Sequence, residues 1–97
     1  MKREIKFGGC SAVLSIGDHR AMLTTREKSL PVILADAINE AGDLDVIEIN
    51  RDESDVTAIR ITHDLNPGEL LNIVCEAISR VYDVDTFVSN ARAESAV

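Results

Sequence analysis

Residues 56–82 read VTAIRITHDLNPGELLNIVCEAISRVY, and this stretch decides the fold. Ile59 and Ile61 alternate with Arg60 and Thr62, the two-residue period of a half-buried strand. A helix start follows at once. Asn66 can cap, Pro67 sits at the first helical position, and Glu69 stands three residues after the cap. From there Leu70, Leu71, Val74, Ala77, Ile78 and Val81 recur at helical spacing to about Tyr82. Asn72, Glu76, Ser79, Arg80 and Asp83 form a polar stripe, and Glu76 and Arg80 are a favourable i,i+4 pair.

The same grammar extends in both directions. Leu44–Ile49 reads as a strand, Asn50–Asp55 as a polar turn and Val56–His63 as the strand that pairs with it. Ile47 and Ile49 are expected to share a face with Ile59 and Ile61, and Glu48 to share the other with Arg60 and Thr62. Upstream, Ser29 can cap a helix that starts near Leu30-Pro31 and carries Leu30, Ile33, Leu34, Ala37, Ile38 and Ala41 on its apolar side. Gly42 is expected to end it in a left-handed conformation. At the start of the chain, Ile5 and Phe7 alternate with Glu4 and Lys6, and Gly8-Gly9 reads as a tight hairpin turn. Cys10, Ala12, Leu14 and Ile16 share one face of a second strand. Gly17-Asp18 is a further turn, and Ala21 and Leu23 point to the core from a third strand. Val84–Val88 predicts a short sixth strand.

The pattern is α+β: a mainly antiparallel five- or six-stranded sheet with two helices on one face, in the order βββα-ββα-β. The outer face is expected to show Glu4, Lys6, Ser11, Ser15, Arg60 and Thr62, with Val13, Met22, Val46 and Val56 among them. Residues 1–88 form a single domain in this reading, and 89–97, small, polar and alanine-rich, a flexible C-terminal tail. A shift of 40 places Leu30 on Leu70, Ala37 on Ala77 and Ile38 on Ile78, which makes a ββα duplication a candidate.

The 97 residues carry a net charge of −7, unevenly spread. Eight carboxylates between residues 36 and 55 (Asp36, Glu40, Asp43, Asp45, Glu48, Asp52, Glu53 and Asp55) face Arg51 alone. Such a balance repels nucleic-acid phosphate and anionic membrane, so neither direct nucleic-acid binding nor membrane association is expected. Phe7, Tyr82 and Phe87 are too few aromatics for a base-stacking platform. No apolar run has the length of a membrane span or a signal peptide, which predicts a cytoplasmic protein.

Residues with chemistry are scattered. Cys10, His19, His63 and Cys75 are the strong zinc-type ligands, and none are paired at CxxC or HxxxH spacing. Asp52, Glu53 and Asp55 crowd one loop but lack the pattern of a calcium loop. Cys10 after Gly8-Gly9 could be an exposed nucleophile only with His19 or His63 beside it as a base. No catalytic residue, cofactor or metal is assigned. The function expected is a non-enzymatic protein-interaction or regulatory domain that self-associates, most simply as a homodimer, because the helices look apolar around much of their circumference. One alternative is an acidic nucleic-acid mimic that inhibits a DNA- or RNA-binding protein through the eight carboxylates. The other is a small enzyme with an unidentified site.

Overall fold

Gly8 and Gly9 take φ of 52° and 81°, the left-handed pair that a two-residue hairpin turn needs. They join β1 (Lys2–Phe7) to β2 (Cys10–Ile16), in a register that sets Phe7 opposite Cys10. The second turn closes with a 2.7 Å bond from the Gly17 amide to the Arg20 carbonyl and leads into β3 (Arg20–Thr25). α1 (Ile33–Gly42) then crosses to β4 (Asp45–Ile49), which pairs with β5 (Ala58–Thr62). α2 (Pro67–Tyr82) crosses to β6 (Thr86–Asn90). The computed structural model describes residues 1–25, 30, 31, 33–42, 44–49 and 58–90, with 47–49 and 90 described by their backbone.

The strands form one six-stranded sheet in the order β4-β5-β3-β2-β1-β6, antiparallel at every pairing. Both helices lie on the same face, as the α+β pattern predicts. One buried cluster joins Ile5, Phe7, Leu14, Leu23, Ile59 and Ile61 of the strands to Leu34, Ile38, Leu70, Val74 and Ile78 of the helices. The units β2-β3-α1 and β4-β5-α2 meet with β3 beside β5 and α1 against α2. This is the arrangement that two ββα units related by a local two-fold would take.

Four details differ from the sequence reading. In β4, Val46 is opposite Ile61, while Ile47 is opposite Arg60 and Ile49 opposite Ala58. The register is therefore one residue away from the expected one, and Val46 packs on the core instead of the outer face. An apolar run such as Val46-Ile47 satisfies either register, and a slip of one exchanges the faces. Leu30 is buried ahead of α1, which starts at Ile33. A residue before proline is pushed out of helical conformation, and Pro31 follows Leu30. Gly42 is the last residue of α1 and is not among the left-handed residues. The left-handed closure occurs instead at Asp83 (φ 57°), where the amides of Asp83 and Val84 reach the Ser79 carbonyl at the end of α2. Finally, β6 runs to Asn90, so the boundary expected after residue 88 falls inside a strand, and residues 91–97 lie outside the described residues.

The Asn66 cap is as expected: its side chain accepts from the Glu69 amide at 2.9 Å. Asn66→Ala is expected to lower stability by about 1 kcal/mol, the usual effect of a lost cap. The midpoint of urea unfolding measures it, and an unchanged midpoint would contradict the role.

Candidate functional site

Among the described residues, one sheet face carries no helix. Its cross-strand rows follow from the register. Ser11, Lys6 and Phe87 form one row. Lys2, Ser15, Met22 and Arg60 form another. Side chains directly opposite one another share a face. This face therefore holds Lys2, Glu4, Lys6, Arg20 and Arg60, and among its apolar residues are Val13, Met22, Ala58 and Phe87, with Ile47 and Ile49 of β4 on it by register. Lys2, Lys6 and Arg20 are exposed. Phe87 is 68% exposed at the border of a shallow depression lined by Gly8, Gly9 and Cys10. Its neighbour Val88, 43% exposed, turns to the helix face opposite Ile5.

The helices need less external cover than their sequences suggest. α1 and α2 pack side by side. Leu71, Ile73, Cys75 and Val81, the apolar residues beside the main stripe of α2, are partly buried against the core. Ile33 at the start of α1 is the large apolar side chain left exposed on the described helices. The apolar surface still open to a partner is thus shifted toward the sheet.

Four of the eight carboxylates are among the described residues. Asp36 and Glu40 are exposed one turn apart on α1. Asp45 is exposed at the start of β4, opposite Thr62. Glu48 lies in β4 opposite Ile59 by register. Asp43, Asp52, Glu53 and Asp55 lie outside the described residues.

His63 is the one buried polar residue among those described, at 4% exposure. The Leu65 amide donates to its Nδ1 at 3.1 Å, so that nitrogen carries a lone pair. Its Nε2 is 3.1 Å from the Gly17 carbonyl and must donate to it. With its own amide donating to the His19 carbonyl at 2.9 Å, His63 ties the β2–β3 turn to the entry of α2. Both ring nitrogens are committed, which describes a structural clamp rather than an available base. His19 is exposed and meets Asp64 at 3.1 Å. Sequence periodicity gave no sign of the clamp, since it joins residues far apart in the chain.

The cysteines are separated from these histidines. Cys10 opens β2, and the turn with His19 follows its far end, so the strand's length of about 20 Å lies between them. Cys75 in mid-α2 is partly buried. Burial pushes its thiol above its ordinary pKa, and a hydrogen bond with Thr86 opposes this in part. Burial also raises Tyr82, helped by the neighbouring Cys10 charge, and its ring packs on Phe7 at 4.7 Å. A protonated, half-buried thiol is a poor nucleophile. Among the described residues no three His, Cys, Asp or Glu side chains are grouped to hold a metal ion. No described helix is long and apolar enough to cross a membrane. Comparison of the chain with protein-family models, curated proteins and solved structures found no match in any of the three.

Proposed function

We propose that this protein is a non-enzymatic interaction domain that self-associates, and that its contact surface lies on the sheet. The observation that supports this reading is the one-sided cover of the sheet. The helices shield each other, while Phe87 and Val88 stay exposed at an edge. Exposed apolar side chains beside an unpaired strand edge invite another chain. A regulatory role in the cytoplasm is part of this reading and draws on the acidic composition. The alternative of an acidic nucleic-acid mimic draws on the exposed Asp36 and Glu40 of α1.

Light scattering at micromolar concentration, in low and high salt, tests the proposal. The expected mass is that of a dimer in both, because an apolar contact is not screened. A monomer in both contradicts self-association. Dimerisation confined to low salt assigns the contact to charges, which salt screens beyond about 10 Å at 0.1 M.

A further inference from the structure

We infer that two copies of this chain join through β6, side by side and antiparallel about a two-fold axis at Val88, into one continuous twelve-stranded sheet. The inference rests on the self-association reading and assigns it to a strand and a register.

Among the described residues β6 is an edge strand, and the outward half of its backbone amides and carbonyls has no partner in the sheet. Natural edges are guarded by charge, proline or bulges. β6 has none of these: its residues are Thr86, Phe87, Val88, Ser89 and Asn90, and its register with β1 runs without interruption. The opposite edge, β4, carries Asp45 and Glu48 in its five residues. For a chain of net charge −7, a neutral strand is where a second copy can approach without like charges meeting.

A two-fold at Val88 pairs all five residues and keeps every side chain on its proper face. Val88 then meets Val88 of the second copy. Within one copy Ala12, Ile5 and Val88 are in one row. The apolar row on the helix side thus runs across the axis from one core to the other. On the open face Phe87 lies opposite Ser89 of the second copy, whose own neighbour in β1 is Glu4. That row reads Lys6, Phe87, Ser89, Glu4 across the join, with opposite charges at its ends. The two-fold thus continues the apolar row across the join, and no charged residue of one β6 meets a charge of the other.

Two variants test this in the full chain. Phe87→Glu replaces an exposed side chain next to Lys6, so the monomer should stay folded, while the two new carboxylates come to lie diagonally across the two-fold, about 7–8 Å apart, and repel. Sedimentation at graded concentrations should show the dimer dissociation constant raised at least tenfold. Val88→Cys should form an intermolecular disulfide on mild oxidation, because directly opposed strand residues have Cα atoms about 4.5–5.5 Å apart, inside disulfide range. Ser89→Cys places its thiols diagonally and should cross-link far more slowly, with peptide mapping separating these bridges from any at Cys10 or Cys75. A wild-type dimer that Phe87→Glu leaves intact and Val88→Cys fails to cross-link would overturn the β6 assignment alone. A wild-type monomer at every concentration would overturn the self-association reading as well.

Discussion

His63→Ala is expected to lower the free energy of unfolding by about 2–4 kcal/mol. The substitution strands two groups at once. The Gly17 carbonyl loses the Nε2 donor and the Leu65 amide loses the Nδ1 acceptor, each at 3.1 Å in the native fold. A partly buried group left without its partner costs about 1–3 kcal/mol, more than the bond itself contributes. The cavity left by the ring adds to the loss. Denaturant unfolding followed by circular dichroism measures it. A loss under about 1 kcal/mol would mean that water replaces the ring without penalty and that the clamp is incidental.

Gly42→Ala separates two readings by sign. Gly42 is not left-handed, so helix propensity alone predicts stabilisation of about 1 kcal/mol on gaining a methyl group. Packing predicts the reverse. A Cβ at this position would come 2.9 Å from Ile73 Cδ1, 3.0 Å from Ile73 Cγ2 and 3.1 Å from Leu44 Cδ1. Ile73 belongs to α2, so this glycine sets how closely the two helices approach. We expect a loss of about 1–3 kcal/mol, typical of an overpacked site. Ile73→Val in the Gly42→Ala background should recover part of it, because the shorter side chain removes Cδ1. Stabilisation by Gly42→Ala would show that α1 and α2 are not in tight contact there.

The sequence was most legible where local chemistry and periodicity agree. Gly8-Gly9 can be read as a hairpin because only glycine takes two successive left-handed conformations at no steric cost. Asn66-Pro67 with Glu69 can be read as a helix start because cap and first turn are local devices. The α+β arrangement followed from these, since one-sided alternation in the strands demands helices on one face. What could not be read was non-local. The β4 register depends on how Val46 meets Ile61 of β5, and the run Val46-Ile47 fits both choices. Gly42 looks like a helix terminator in sequence, and its contact with Ile73 appears only when α2 folds back on α1. The apolar circumference of α2 suggested a partner, yet α1 and the sheet supply most of its cover. The surface that remains exposed is carried by Phe87, whose role depends on which strand ends the sheet.

Amide hydrogen exchange at two protein concentrations, one far below and one far above the dimer constant, tests most directly that the sheet is the contact surface. Protection should rise with concentration in β6 and stay unchanged on the exposed face of α1 around Asp36 and Glu40. A rise on that face of α1 with none in β6 would contradict the account and move the contact to the acidic helix.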